Sequence, residues 1–252
     1  MLILTKAVLA LMIGFILAVI FGLLLIPCLR KLNVKQKISI FLNKSHKNKD
    51  GIPTMGGLIF IIPTILTIII LVILKKIDLS SNLFLVLFVF IGYAVLGFID
   101  DFLIIKRGKN DGLTEIQKLF GQLIIAIIFF ALFLINGHDT VLNIHTLNIK
   151  IDMGWVYGLF LLFIFLASSN AVNLTDGLDG LAGGLSAIAF LAFGIISWGS
   201  TWAAGHEEIA IFCFILVGSL LGFLVFNTNP AKVFMGDTGS LSLGATLASV
   251  AI

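Results

Sequence analysis

Long apolar segments follow one another along this chain with only short polar stretches between them, and that repetition decides what it can fold into. Several reach the roughly 20 residues a helix needs to cross hydrocarbon. Spans are expected near Ala7–Leu29, Gly56–Leu74, Leu83–Ile104, Leu119–Ile135, Trp155–Ser169, Leu181–Trp198 and Ile209–Phe226, with another beginning near Ser240. With 60% hydrophobic and 12% charged residues, no soluble core of this size could absorb so many apolar runs. The expected fold is all-α: a polytopic membrane bundle of about eight spans forming one domain over residues 1–252. Met1–Ile26 is too long in its apolar part for a secretory signal and lacks a small-residue cleavage site, so it reads as a retained first helix.

Orientation follows from Lys and Arg, which gather in cytoplasmic loops. The stretches after spans one, three and seven hold Arg30, Lys31, Lys35, Lys37, Lys44, Lys47, Lys49, Lys106, Arg107, Lys109, Lys118 and Lys232. The other side holds only Lys6, Lys75, Lys76 and Lys150. Twelve against four places the N-terminus outside and the first group of loops in the cytoplasm. The same topology puts Asp100, Asp101, Asp176, Asp179 and Asp237 together on the cytoplasmic side, although none of them was used to set it. Acids at the ends of spans are costly and mark functional sites.

Other features narrow the reading. Cys28 and Cys213 have no metal-type spacing and read as small apolar residues. The net charge of +3 comes from the basic loops, which suit anionic headgroups or phosphorylated ligands and give no reason to invoke nucleic acid. No repeat or dividing linker is present, and the alternation in Val141–Leu147 suggests a small external hairpin.

Three cytoplasmic constellations carry possible chemistry. Asp100-Asp101 ends the third span, and two adjacent carboxylates there must face water, a cation or a polar cleft. The stretch Asn170-Ala171-Val172-Asn173-Leu174-Thr175-Asp176-Gly177-Leu178-Asp179-Gly180 places Asn173, Asp176 and Asp179 on one stripe if helical, while its glycines argue for a broken, ligand-approaching turn. The third, Val233-Phe234-Met235-Gly236-Asp237-Thr238-Gly239-Ser240, offers Asp237 as an N-cap or cation ligand and Phe234 as a flat aromatic face. The basic loop through Lys49 to Pro53-Thr54-Met55-Gly56-Gly57 adds a cation, as does Lys118. Acids and lysines in this supply fit Mg²⁺ and a phosphorylated ligand. The external His138, His145 and His206 lie across the membrane from the acids, and no nucleophilic triad can be assembled.

In these four motifs, in this order, the chain resembles the polyprenyl-phosphate hexose-1-phosphate transferases. The Pro-Thr-Met-Gly-Gly form is similar to the branch that uses a muramoyl-pentapeptide donor. The resemblance implies transfer of phospho-N-acetylmuramoyl-pentapeptide from its UDP conjugate to undecaprenyl phosphate, with release of UMP. It implies a Mg²⁺ ion on Asp237, Asp100 as base or orienting group for the lipid phosphate with Asp101 in support, and Lys118 neutralising pyrophosphate charge. Lys49, Asn173, Asp176, Asp179 and Phe234 would line the nucleoside side, with Phe234 stacking on uracil and Asn170 and Gly236 also on the substrate side. Direct in-line attack is the expected route, since a phosphate monoester is largely ionised near neutral pH, its second pKa being about 6. The resemblance further implies a bacterial plasma-membrane homodimer among membrane lipids. It also implies a later loop rich in histidine and about two more spans, so the chain is expected to lack its C-terminal part. Two other readings are a relative using UDP-N-acetylglucosamine and a cation-coupled transporter. The transporter is disfavoured because the acids sit at span ends rather than mid-span.

Overall fold

A computed structural model of the protein describes residues 3–31, 52–107, 112–144, 149–199 and 206–252. Among these are eight helices: α1 (Ile3–Lys31), α2 (Leu58–Ile73), α3 (Ser81–Arg107), α4 (Glu115–Ile135), α5 (Val156–Thr175), α6 (Leu181–Gly199), α7 (His206–Asn227) and α8 (Gly236–Ala251). Six of them, all but α2 and α8, are long and apolar enough to cross a membrane by length and composition. Their outward faces carry large apolar side chains, such as Leu23, Leu24, Ile127, Phe163 and Ile188, each more than half exposed. A soluble surface does not tolerate apolar exposure on that scale, so the chain is a multi-pass membrane protein.

The helices begin and end close to the expected spans, with one informative difference. The fifth continues to Thr175, six residues beyond Ser169, so Asn170 and Asn173 lie on helix and the break comes only at Asp176. The glycines that argued for an irregular segment, Gly177 and Gly180, fall after that break, and Gly180 takes the left-handed conformation at φ +77°. At the opposite end, Val141–Ile144 and Ile149–Asp152 pair antiparallel as β1 and β2, which is the small hairpin the alternation suggested.

Two helices sit at the centre. α7 is buried along most of its length among α1, α2 and α6, and its aromatic side chains lock edge to face with neighbours: Phe60 on Phe223 and Phe90 on Phe212. α8 lies between α3 and α5 and consists largely of Gly, Ala, Ser and Thr. Small residues let backbones approach closely where lipid offers no hydrophobic drive between helices. At Gly97 of α3, an added Cβ would stand 2.1 Å from the Asp237 carbonyl oxygen, so no larger residue allows this crossing. That crossing carries the end of α3 onto the start of α8.

Candidate active site

The C-terminal ends of α3 and α5 and the N-terminal ends of α4 and α8 meet at one end of the bundle. A helix start leaves its first N–H groups without partners inside the helix. At α8 these are satisfied from outside: Asp101 accepts from the backbone N–H groups of Asp237 (3.2 Å) and Thr238 (2.9 Å) and from the Thr238 hydroxyl (2.6 Å). Asp176 accepts the N–H of Gly236. Two carboxylates from distant parts of the chain thus cap one helix, aided by the positive end of its dipole. Gly236 has φ +75°, and a Cβ there would meet Asp101 Oδ2 at 2.6 Å and Thr54 Oγ1 at 2.7 Å.

Asp237 stands in the first turn of α8 with both oxygens engaged. Oδ2 receives Lys118 Nζ, and Oδ1 receives Asn173 Nδ2 at 2.8 Å. Asn173 also donates to the Ser240 hydroxyl at 2.8 Å. Lys118 reaches Asp100 Oδ2 at 3.0 Å, and Asp100 accepts the Leu113 N–H at 2.6 Å. Lys118 therefore bridges the two carboxylates of the cluster that cap no helix.

Charge does not balance here. Asp100, Asp101, Asp176 and Asp237 converge, and the cation that pairs with them among the described residues is Lys118. The strain registers on Asp176, whose pKa is pushed up to about 7 by burial and by the neighbouring Asp101 and Asp237 carboxylates, against the Gly236 N–H bond that favours the ion. One oxygen each from Asp100, Asp101 and Asp237 lies within 4.8 Å of the others. Such a set of hard oxygen donors fits a divalent ion of the Mg²⁺ type, which takes one or two carboxylates and fills its remaining positions with water and phosphate oxygen. Asp101 already serves three donors, whereas Asp100 and Asp237 each serve two, so these two carboxylates keep more lone pairs for such an ion.

The other expected site residues fall into distinct places. Asp179 accepts from Asn229 Nδ2 (3.1 Å) and the Ala231 N–H (3.2 Å), holding the α5–α6 turn against the α7–α8 loop. Phe234 is half-buried; its N–H donates to the Pro53 carbonyl, and its own carbonyl accepts from Gly56. The Pro53–Gly57 stretch is thereby laid beside the start of α8. Asn170 is exposed and returns its amide to the Leu166 carbonyl within α5, so it is not drawn into the cluster. Lys49 lies outside the described residues. Residues that sequence reasoning did not assign also take part: Thr238 and Ser240 bind the cluster directly, and Thr54 abuts Gly236. All three belong to motifs that were singled out, and for Thr238 and Ser240 a hydroxyl beside a glycine at a helix start is the signal that could have marked them.

Fold and site together define a polytopic membrane protein with a carboxylate cluster and a bridging lysine at one end of its bundle. Comparison with known proteins narrows the class. Residues 83–252 match the family described as glycosyl transferase family 4, and residues 49–61 match signature 1 of phospho-N-acetylmuramoyl-pentapeptide-transferase. The chain is 49% identical over 245 residues to the phospho-N-acetylmuramoyl-pentapeptide-transferase of Geobacillus thermodenitrificans, covering 97% of this chain and 74% of that protein. The proteins of the same name from Geobacillus kaustophilus and Bacillus subtilis are 48% and 46% identical, over 97% and 95% of this chain and 74% and 72% of theirs. The chain belongs to the phospho-N-acetylmuramoyl-pentapeptide-transferase family.

Proposed function

We propose that this protein transfers phospho-N-acetylmuramoyl-pentapeptide from its UDP conjugate to undecaprenyl phosphate at the cytoplasmic face of a bacterial plasma membrane, with Mg²⁺ bound at Asp237 and Asp100. The observation that carries this reading is the meeting of Asp100, Lys118 and Asp237, from three helices, at a membrane-embedded bundle's end. Family membership supports the donor, and the match at residues 49–61 favours the muramoyl-pentapeptide conjugate over UDP-N-acetylglucosamine. The twelve-to-four distribution of basic residues supports the cytoplasmic orientation.

The chemistry follows from what each side chain can do. An oxygen of the lipid phosphate attacks the sugar-bearing phosphorus, the bond from that phosphorus to the UMP oxygen breaks, and UMP leaves with the electron pair. Asp100, fixed by the Leu113 N–H, orients the incoming phosphate and takes any proton it still carries. Lys118 directs an N–H toward the diphosphate oxygens, offsetting the charge that grows on the leaving group. A bound Mg²⁺ would draw the diphosphate and the carboxylates together and neutralise both. Asn173 fixes the rotamer of Asp237. Asp176, Asp179, Phe234, Gly236, Lys49 and Asn170 belong on the nucleoside and donor side, with Phe234 offering a face to the uracil ring. Such a reaction depends mostly on positioning and charge neutralisation. Functional assembly as a homodimer goes with this reading.

The test is UMP release and labelled lipid product from UDP-N-acetylmuramoyl-pentapeptide and a polyprenyl phosphate, with and without EDTA. Product that needs metal supports the reading. Product only from UDP-N-acetylglucosamine moves the assignment to the other donor, and ion uptake into vesicles without lipid product revives a transporter.

A further inference from the structure

Beneath the charged cluster lies a second set of polar contacts that the proposed chemistry does not use. Gln122 on α4 is 2% exposed, and its amide nitrogen, Nε2, reaches the fully buried Ser169 hydroxyl on α5 at 3.4 Å. Ser169 in turn donates to the Phe165 carbonyl at 2.7 Å. Beside it, the Ser168 hydroxyl donates to the Gly244 carbonyl on α8 at 2.6 Å. An added Cβ at Gly244 would stand 2.3 Å from the Ser168 carbonyl oxygen, so α5 and α8 are in backbone contact there. Three helices are joined at this level: α4, α5 and α8.

The spacing ties this level to the site above it. Gln122 is four residues after Lys118, Ser169 four before Asn173, and Gly244 four after Ser240. Four residues is about one helical turn, so each member stands under its counterpart on the same helix face. The upper level holds Lys118 and Asn173 on the two oxygens of Asp237, and the lower level joins the same three helices one turn deeper.

We propose that Gln122 and Ser169 are positioning residues: they set the axial register of α4 against α5, and with Ser168 and Gly244 against α8, so that Lys118 arrives between Asp100 and Asp237. The physical argument is that a polar pair in an apolar helix interface has few alternative partners. A slide of one helix past another breaks that pair, whereas Leu or Phe contacts adapt to small shifts. A displacement of Lys118 by about 1 Å is enough to cost a large factor in rate, on the order of a hundredfold. This inference rests on the transferase reading.

The test uses the full-length natural protein in lipid nanodiscs and measures UMP release from UDP-N-acetylmuramoyl-pentapeptide and undecaprenyl phosphate. Gln122→Met keeps length and removes the amide; Ser169→Ala removes the other partner; the double variant closes the cycle. The expected result is a fall in kcat of about ten- to a hundredfold for each single variant, with donor KM within about twofold and a double variant no worse than either single one. Phe165→Leu, at the same α4–α5 interface but apolar, serves as control: it lowers thermal stability and leaves kcat near the parent value. Gln122→Met and Ser169→Ala variants that keep kcat within about twofold, or that lose it only in proportion to stability as the control does, overturn the proposal. If Gln122→Met fails to fold, Ser169→Ala alone decides by the same measure. A parent protein that releases no UMP from this donor indicts the transferase reading instead.

Discussion

α7 and α8 are both sequestered from lipid, yet they are built from opposite materials. α7 fills its surroundings with Ile, Leu, Val and Phe, and its one hydroxyl, Ser219, is fully buried with no hydrogen-bond partner. α8 presents hydroxyls, nearly all engaged: Thr238 to Asp101, Ser240 to the Gly236 carbonyl, Ser242 to the Phe90 carbonyl at 2.8 Å and Thr246 to the Ser242 carbonyl at 2.6 Å, with only Ser249 unpartnered. Apolar packing gives cohesion that survives small shifts, whereas hydrogen bonds fix direction and register. The bundle thus places stability in α7 and precision in α8. The two tasks are separable by mutation.

The sharpest break between them is expected from Asp237→Asn. Removing its charge should lower UMP release by about a thousandfold or more, while thermal unfolding stays near that of the parent. Phe212→Ala in α7 should do the reverse: a stability loss of about 3–5 kcal/mol, read from chemical unfolding, with activity per folded molecule within about twofold. Equal losses in both properties for either variant would erase the distinction. Hydroxyl deletions give a finer comparison. Ser242→Ala should cost about 1 kcal/mol, whereas Ser219→Ala should be neutral or slightly stabilising, because an unpartnered buried hydroxyl contributes nothing to lose.

A pH dependence is expected as well. Asp176 has a folded-state pKa of about 7, raised above its ordinary value, so the folded protein binds the extra proton and ionisation works against folding. Stability in EDTA should therefore rise as pH is lowered from about 8 to 6, and Asp176→Asn should make that rise smaller. Stability that falls over this range in the parent would show that the burial of Asp176 is compensated by something other than the neighbours described.

Much of this arrangement is legible in the sequence because a bilayer simplifies the reading. A run such as Ala7–Leu29 has one sensible fate, and the alternation of successive spans sets which ends share a side. Topology alone put Asp100, Asp101, Asp176, Asp179 and Asp237 on one side; that all but Asp179 meet in one cluster came from the packing. Which acid does what was not legible. Asp100 and Asp101 are neighbours with the same chemistry, yet one faces Lys118 and the other caps α8. That difference is set by the helix crossing at Gly97, a three-dimensional fact. The extension of α5 to Thr175 was hidden by the glycines just beyond it. Gln122, alone and polar within an apolar run, was visible, but its partner Ser169 lies 47 residues away and carries no pattern of its own.

The composition of α8 bears on how the protein is made. A segment so rich in glycine and hydroxyls has little reason of its own to leave the insertion machinery for lipid. Its neighbours α3, α4 and α5 are all synthesised earlier, and the backbone groups and carboxylates that receive it are already in the membrane when it emerges. The helix that carries Asp237 therefore enters a slot rather than a solvent, and the reactive cluster forms only once the last of these helices has been threaded home.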